Sequence, residues 1–237
     1  MFKIHVIPAH EQASQVLSVN EGASHSQHAT IHAGSFGYLS WAYVTECVYF
    51  PVHRQGAMDC YIYELTQSHL SGDKIDSVTH VHEGDMVVMQ SGAMNVPLVK
   101  RVGPEFSAFE FWFSESGILQ GTEEADFIKI NALQFPMIIT DDVVVRQLFG
   151  EDAPITHING LKITELILPP ATSYSYSLFA DRKIGVYVIR GEGSIENHAY
   201  IQGDFMEVWQ HDDPADQLVI KSTGLKTSRL IVLDITD

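Results

Sequence analysis

One short segment occurs twice in this chain, about half a chain apart. Gly84-Asp85-Met86-Val87-Val88 reappears as Gly203-Asp204-Phe205-Met206-Glu207-Val208, an offset of 119 residues (from 84 to 203) in a chain of 237. A Tyr-bearing apolar stretch precedes each copy, at Tyr61-Ile62-Tyr63 and at Val186-Tyr187-Val188. At the same offset, the segment Phe109–Phe113 falls on Ser228–Val232. A repeat of half the chain predicts two similar domains.

The apolar segments are short and rich in β-branched or aromatic residues, and turn residues separate them. Many such segments in succession indicate antiparallel β-sandwiches or β-barrels. A composition shift near Glu115–Asp126 interrupts the strands, so we predict an all-β fold with domains at residues 1–128 and 129–237. The predicted strands are Asp59–Leu65, Asp85–Met89, Phe106–Phe113, Val143–Leu148, Leu161–Leu168, Ile184–Ile189, Phe205–Trp209 and Leu230–Ile235.

Composition limits the partners that this chain could bind. With 45% hydrophobic residues, the chain can bury a sizeable core. Thirty Asp and Glu against fourteen Lys and Arg give a net charge of −16, which repels phosphate backbones and anionic lipids. No stretch of 18 apolar residues occurs, and the apolar run after Met1 is too short for a secretory signal. We therefore expect a cytoplasmic protein that binds neither nucleic acid directly nor membranes.

Twelve histidines are many for this length, and histidine is a common metal ligand. The stretch from His25 to His32 follows Gly and Ser residues that are typical of a loop. His80 and His82 would project from one face of a strand, where two imidazoles could bind one metal. Because a turn at Gly84-Asp85 follows almost at once, we expect a solvent-exposed pair instead.

The aromatic residues from Phe106 to Phe113 could line a pocket for a planar substrate. Alternation along a strand, however, places Phe109, Phe111 and Phe113 on one face. That pattern is typical of an ordinary hydrophobic core, which is the interpretation that we prefer.

Several segments follow one another at fixed spacing between residues 53 and 92. They are His53-Arg54-Gln55 with Asp59, Tyr63-Glu64-Leu65-Thr66-Gln67, Gly84-Asp85, and Met89-Gln90-Ser91-Gly92. These segments resemble the first cupin domain of the pirin family, which carries a His-Pro-His-x-x-x-Glu motif, a strand ending in Leu-Glu-Gly, a Gly-Asp turn and a Met-x-Ala-Gly segment. The strand Phe109–Phe113 is similar to the family's Trp-containing strand, and Val186–Gly193 is similar to a strand and turn of its second cupin domain.

The resemblance implies two tandem cupin domains, each a jelly-roll-like antiparallel β-barrel. It also implies one metal, usually iron, inside the first barrel. In the family, two histidines of the first motif and a His and a Glu of a later motif hold this metal. The second barrel of the family has no metal, and the corresponding segment Ala180–Gly185 of this chain contains no His.

The metal ligands are where this sequence departs from the pirin family. His53 matches the first ligand, and Asp59 keeps an acidic group at the position of the first motif's carboxylate. Gln55 replaces the second His, and the later pair falls on Pro97 and Val99, whose side chains donate no electron pair. Iron or another transition metal is therefore disfavoured, and the cofactor is unknown.

Three interpretations of this altered site stay open. His53 and Asp59 could form a charge-assisted hydrogen bond that holds the start of the strand. A metal could be bound by other ligands, drawn from His69, His80 or His82. A ligand pocket could survive without metal, lined by His53, Gln55, Asp59, Pro97 and Val99.

Two functions follow from these interpretations. The sequence favours a pirin-related bicupin that lacks the iron site and binds a small organic molecule or a protein partner. The alternative is a metal-dependent enzyme like quercetin 2,3-dioxygenase, acting on an aromatic substrate in the N-terminal barrel. The catalytic residues are unknown, since no local signature of a nucleophile or a phosphate-binding loop occurs.

Overall fold

The structure is a computed structural model of the chain. It describes residues 2–12, 32–36, 39–45, 49–50, 58–72, 75–89, 99–102, 107–114, 127–155, 161–178, 182–210 and 216–236. In these ranges the regular elements are β-strands, apart from two short 3-10 turns at Ala9–Glu11 and Ala132–Gln134. The predicted all-β class is therefore confirmed. Nowhere in the same ranges is a helix long and apolar enough to cross a membrane.

The strands agree with the local signals of β-branched and aromatic residues between turns. In chain order they are β1 (Phe2–Ile7), β2 (His32–Phe36), β3 (Leu39–Thr45), β4 (Tyr49–Phe50), β5 (Met58–Glu64), β6 (Ser68–Gly72), β7 (Ile75–Val81), β8 (Met86–Met89), β9 (Val99–Val102), β10 (Ser107–Ser114), β11 (Phe127–Ile130), β12 (Met137–Thr140), β13 (Val143–Phe149), β14 (Leu161–Leu168), β15 (Ser173–Leu178), β16 (Arg182–Arg190), β17 (Glu192–Ile195), β18 (His198–Ile201), β19 (Phe205–Gln210), β20 (Asp216–Ser222) and β21 (Ser228–Thr236).

The chain divides into two compact units. The N-terminal unit comprises Ala13–Gln134, and the C-terminal unit comprises Met1–Gln12 together with Phe135–Asp237. The first strand of the chain thus belongs with the second half, because β1 pairs antiparallel with β19 along its whole length.

Each unit contains two antiparallel sheets, and the order of the strands repeats. In the C-terminal unit the larger sheet has the order β1-β19-β16-β21-β14-β13-β12, and the smaller sheet has the order β15-β20-β17-β18. In the N-terminal unit the corresponding orders are β11-β8-β5-β10-β3-β2 and β4-β9-β6-β7. The two lists match strand for strand, and among the described strands only β12 has no counterpart. The predicted duplication is therefore confirmed.

The repeated Gly-Asp dipeptide forms the same turn in both units. Gly84 and Gly203 have φ angles of 86° and 87°, in the left-handed region that glycine adopts without strain. The Gly84 N–H donates to the carbonyl oxygen of Glu64, and the Gly203 N–H donates to that of Val188, at 2.8 Å in both cases. Glu64 therefore has the position in the N-terminal unit that Val188 has in the C-terminal unit.

The aspartates of these turns hold the neighbouring chain with their carboxylates. Asp85 accepts hydrogen bonds from the backbone N–H groups of His82, at 3.0 Å, and Ala132, at 2.8 Å. Asp204 accepts the two corresponding bonds, from Ile201 at 2.9 Å and from Ala9 at 3.3 Å. Asp85 thus joins its turn to the 3-10 turn after β11, and Asp204 joins its turn to the 3-10 turn after β1. β11 and β1 are the edge strands of the two larger sheets.

The offset of 119 residues holds for the two turns but not for the strands beside them. Phe109 lies opposite Tyr63, and Ile231 lies opposite the corresponding Tyr187. Phe109 therefore corresponds to Ile231, and the predicted match to Ser228–Val232 is wrong by three residues. The reason is that loops of different length separate the repeated strands, so that no single offset aligns them.

The core of the C-terminal unit combines residues of both its sheets. Val188, Leu230 and Val232 of the larger sheet and Tyr200 and Ile220 of the smaller sheet belong to one cluster of buried side chains. Because residues i and i+2 of a strand face the same way, these members identify the interior face of β16 and β21.

Candidate functional site

The structure locates two of the five residues that the sequence predicts for the site, by their backbone. Asp59 lies in β5 opposite Phe113 of β10. Val99 lies in β9, opposite Phe50 of β4 and Gly72 of β6. The other candidates lie outside the described residues: His53, Gln55 and Pro97. A pocket formed by all five stays a prediction.

The histidines near the first turn are exposed, as predicted. His80 and His82 are open to solvent on either side of the fully buried Val81. β7 ends at Val81, and His82 begins the turn by donating its N–H to Asp85. His69, the third alternative ligand, lies opposite His80 in the strand pairing.

The described residues do not supply the donors of an iron site. Within the ranges given above, no group of three or more His, Cys, Asp or Glu side chains could hold a metal ion. The only ligand position of the pirin motif that falls inside those ranges, Val99, has a side chain without a donor atom. The chain's metal content stays a prediction, because His53 lies outside them.

Two buried carboxylates of the N-terminal unit stand at positions where the C-terminal unit has apolar side chains. Glu64, at the end of β5, is 0% exposed, and Glu110, in the middle of β10, is 2% exposed. Charged side chains are rarely buried to this degree, because their removal from water costs free energy unless other groups compensate. Glu64 stands where the C-terminal unit has Val188, a member of its core.

Glu110 stands at another core position. It lies opposite Ile62 of β5, just as Val232 lies opposite Val186 of β16. Glu110 therefore corresponds to Val232, which also belongs to the core of the C-terminal unit. Since both corresponding valines face that core, both glutamates project into the interior of the N-terminal unit.

The two carboxylates lie close together on that face. Ala108 of β10 lies opposite Glu64, and Glu110 follows two residues later on the same face of the same strand. Such diagonal neighbours on adjacent antiparallel strands have Cβ atoms about 7 Å apart. The two glutamates are therefore neighbours in the interior of the N-terminal unit.

Smaller side chains accompany the glutamates. Ala108 lies opposite Glu64, and Leu230 lies opposite Val188, the residues whose carbonyl oxygens accept the hydrogen bonds from Gly84 and Gly203. Ala108 therefore corresponds to Leu230. Val81 corresponds to Tyr200, because each directly precedes the residue whose N–H donates to the turn aspartate, His82 or Ile201. All four are buried. The two interiors therefore differ in the sizes of their side chains as well as in polarity.

A buried hydroxyl faces the same interior. Ser68 lies opposite Val81, and its counterpart Gly193 lies opposite Tyr200. A Cβ atom added to Gly193 would overlap the backbone carbonyl oxygen of Lys221 and lie 2.6 Å from the hydroxyl of Tyr200. The position therefore faces the side chain of Tyr200, a member of the core cluster. The Ser68 hydroxyl is fully buried and has no hydrogen-bond partner among the described residues.

Asp85, at the turn next to Glu64, is held in its ionised form. Burial by itself would raise the pKa of Asp85, but the N–H groups of His82 and Ala132 and the ammonium of Lys129 outweigh burial and lower the pKa below its ordinary value. The Lys129 Nζ atom lies 3.0 Å from an Asp85 carboxylate oxygen. The turn beneath the candidate site therefore depends on a charged side chain.

We expect Asp85→Asn to lower the free energy of unfolding at pH 7 by about 1–3 kcal/mol, because it weakens charge-assisted hydrogen bonds. Since the folded-state pKa of Asp85 is lowered, its contribution is present above the unfolded-state pKa, about 3.9, and is lost as the pH falls through the folded-state value. Urea denaturation from pH 7 to pH 2 should therefore bring the wild type and the variant together in acid. Asp152→Asn, at an exposed position, serves as a control. A difference in the free energy of unfolding between the wild type and Asp85→Asn that stays constant from pH 7 to pH 2 would contradict the prediction.

Sequence reasoning did not identify Glu64 and Glu110 as candidates. Both were visible as parts of the segments that resemble pirins, but their acidity had no assigned role there. The signal that finds them is the comparison of the two halves in the correct register, which sets each glutamate against a valine.

No protein family model and no curated protein matches the sequence, but solved structures do. A quercetin 2,3-dioxygenase from Acinetobacter baumannii has a TM-score of 0.67 at 15% identity, over 98% of this chain and 79% of that one. The bacterial pirin YhhW from Escherichia coli, in complex with nickel(II), has a TM-score of 0.63 at 11% identity, over 99% of both chains. The protein GK1651 from Geobacillus kaustophilus has a TM-score of 0.63 at 12% identity, over 87% of this chain and 93% of that one.

The duplicated antiparallel sheets and these likenesses define the class of the fold: the chain has a bicupin fold. Within that class its fold is pirin-like, as the sequence predicts. At these low identities the likeness concerns the fold, since one fold supports many functions.

Proposed function

We propose that this protein is a pirin-related cytoplasmic bicupin whose N-terminal barrel binds a small organic molecule without the iron site of the family. One observation carries the proposal: the interior of the N-terminal unit is polar at positions where that of the C-terminal unit is apolar. Glu64 and Glu110 stand at the positions of two core valines. Polar side chains in an otherwise apolar interior are the groups that orient a small ligand.

The C-terminal unit supports this proposal as an internal reference. Its core consists of aliphatic side chains, Met206 and the two tyrosines Tyr176 and Tyr200. The hydroxyls of these tyrosines already donate to Asp234 and to the backbone carbonyl oxygen of Lys221. Since the same sheets are repeated in the N-terminal unit, the fold itself does not require the two carboxylates there.

We expect the full chain, purified without chelator or affinity-tag metal, to contain no stoichiometric transition metal. It should keep its melting temperature after dialysis against EDTA, because no metal would hold the barrel together. A library of small organic fragments should include members that raise the melting temperature, since a ligand that binds the folded state alone stabilises it. Elemental analysis and thermal denaturation provide these measurements.

His53→Ala is the variant that separates this proposal from the dioxygenase alternative. A stoichiometric metal in the wild type that is lost in this variant, together with turnover of a flavonol such as quercetin, would establish the metal-dependent enzyme instead. A full chain that contains no metal and binds no fragment would remove the binding function.

A further inference from the structure

The edge strand β12 is exposed along its whole length. Its apolar side chains Met137, Ile138 and Ile139 are 53%, 65% and 64% exposed, although side chains of this kind are usually buried. Because successive residues of a strand point to opposite faces, both faces of β12 are open to solvent. β12 is also the one described strand without a counterpart in the N-terminal unit, so the repeated fold does not require it.

The hairpin of β12 and β13 determines which backbone groups point away from the sheet. Thr140 and Val143 are the last pair before the two-residue turn Asp141-Asp142, whose φ angles of 47° and 65° are both positive, as in a type I′ turn. At the other end, the Gln147 N–H donates to the Pro136 carbonyl oxygen at 3.0 Å. Bonded and non-bonded positions alternate along an antiparallel pair. The even-numbered residues of β12 therefore direct their backbone groups towards β13, and the odd-numbered residues direct theirs outwards.

The outward groups of β12 are the N–H groups and carbonyl oxygens of Met137 and Ile139. Among the described residues, none of these four groups has a hydrogen-bond partner. An edge of this kind is a template for another strand. Edge strands that avoid pairing carry charged residues, a proline or a bulge, and β12 has none of these between Met137 and Thr140.

We propose that β12 pairs antiparallel with β12 of a second copy of this chain, about a twofold axis at Ile138. In this register Met137 of each copy lies opposite Ile139 of the other. Two donors and two acceptors from each copy then face each other, so four backbone hydrogen bonds form. The two Ile138 side chains meet at the axis. Every cross-strand pair among these residues is apolar, which stabilises the pairing.

Charge and symmetry favour a second copy as the occupant of this edge. β12 has no charged side chain, so it can pair with itself without placing like charges opposite each other. Asp141 lies three residues from the axis, so the two copies of Asp141 are about 20 Å apart, beyond the Debye length of about 8 Å at 0.15 M salt. A register centred on Ile139 would instead place Met137 opposite Asp141, in the turn, and would lose two of the four bonds. A twofold pair uses each edge once, so association stops at the dimer.

The interface is small, because each copy contributes one four-residue strand, so we expect a reversible dimer. Sedimentation velocity of the full chain in 0.15 M NaCl, from about 5 µM to about 500 µM, should show a monomer–dimer equilibrium with a dissociation constant of roughly 0.1 mM. A chain that stays monomeric over this range would overturn the proposal and leave the edge to a different protein.

Ile139→Lys and Ile139→Pro test the edge itself. Lysine is a residue that blocks edge pairing, and proline removes the outward N–H while leaving the hydrogen bonds to β13 intact. Each should raise the dissociation constant at least about tenfold. Leu225→Lys is the matched control, because Leu225 is 96% exposed but lies in the loop between β20 and β21. It changes the net charge equally and should leave the dissociation constant within about twofold.

Thermal denaturation shows whether these variants are folded, and Ile139→Lys decides the outcome if Ile139→Pro is not. Dimerisation that is unchanged in Ile139→Lys, or weakened equally in Leu225→Lys, would mean that the copies associate elsewhere and would overturn the proposal.

Cysteine substitutions test the register. Ile138→Cys places two thiols at a non-hydrogen-bonded pair, where the Cα atoms are about 4.5 Å apart and a disulfide can form. In Ile139→Cys the two Cα atoms are roughly 8–9 Å apart, which is too far. Oxidation with copper phenanthroline should therefore give a covalent dimer for Ile138→Cys, above the background that Cys47 and Cys60 give in the wild type. Equal cross-linking of both variants on a non-reducing gel would overturn the proposed pairing.

Discussion

Replacement of Glu165 by alanine is expected to lower the free energy of unfolding of the C-terminal unit by about 3–5 kcal/mol. Glu165 lies in β14 and is fully buried. One of its carboxylate oxygens lies 2.5 Å from the Arg229 Nε atom, and the other lies 3.0 Å from the Arg146 Nη1 atom. The carboxylate thus joins the three neighbouring strands β13, β14 and β21.

The size of the effect depends on what remains after the substitution. Arg229 is itself buried, so removal of the carboxylate takes a close ion-pair partner from a cation that has little access to water. By contrast, the pair formed by His5 and Glu207 is largely exposed, with 3.6 Å between its nitrogen and oxygen atoms. Exposed pairs contribute little, so Glu207→Ala is the matched control and should cost less than about 1 kcal/mol.

Urea denaturation of the two variants measures the difference. A loss for Glu165→Ala that is no larger than that for Glu207→Ala would contradict the structural role of the buried cluster. Glu165→Gln, which keeps the size of the side chain and removes the charge, should lie between the two, because the amide oxygen can still accept one hydrogen bond.

Local patterns in the sequence locate eight of the 21 strands that the structure describes. The predicted strand Leu161–Leu168 coincides with β14, and Val143–Leu148 ends one residue before β13. These segments are rich in β-branched and other aliphatic residues and lie between turn residues, and that signal depends on sequence neighbours alone. The Gly-Asp turns are equally local, because the left-handed conformation of Gly84 and Gly203 favours glycine at those positions.

Pairing between distant segments has no such signal. β1 pairs with β19, from the far end of the sequence, and completes the larger sheet of the C-terminal unit. Nothing in the residues of β1 distinguishes this partner from any other strand edge. The register of the repeat has the same difficulty, because loop lengths alter the offset from one pair of strands to the next.

The candidate site is hidden from the sequence because both faces of β10 are buried. Phe109 and Phe111 on one face are fully buried, which confirms the prediction that they are core residues. Ala108 and Glu110 on the other face are also buried. Alternation separates the two faces but does not say which one faces the interior of the barrel. The comparison with the C-terminal unit makes that distinction, since its interior residues belong to a single core cluster.

The reverse substitution tests this distinction between the two interiors. We expect Val188→Glu, which places a carboxylate at the position of Glu64 in the C-terminal unit, to cost about 3–5 kcal/mol at neutral pH. Val188 is fully buried in a cluster of apolar side chains that includes Leu230 and Ile220. The aliphatic neighbours cannot donate a hydrogen bond to the new carboxylate. The hydroxyls of the two tyrosines in the cluster already donate elsewhere, Tyr176 to Asp234 and Tyr200 to the carbonyl oxygen of Lys221.

The pH dependence of this variant separates charge from size. Burial favours the protonated form, so the folded-state pKa of the new carboxyl group should be raised. The destabilisation should therefore be largest above that pKa and should shrink as the pH falls and the group becomes neutral. Val188→Gln has nearly the same size and no titrating group, so its cost should not follow that pH dependence. Urea denaturation of both variants between pH 4 and pH 8 measures the difference.

A cost below about 1 kcal/mol for Val188→Glu at pH 7 would mean that the C-terminal interior tolerates a carboxylate as readily as the N-terminal one. The contrast that supports a binding site around Glu64 and Glu110 would then disappear.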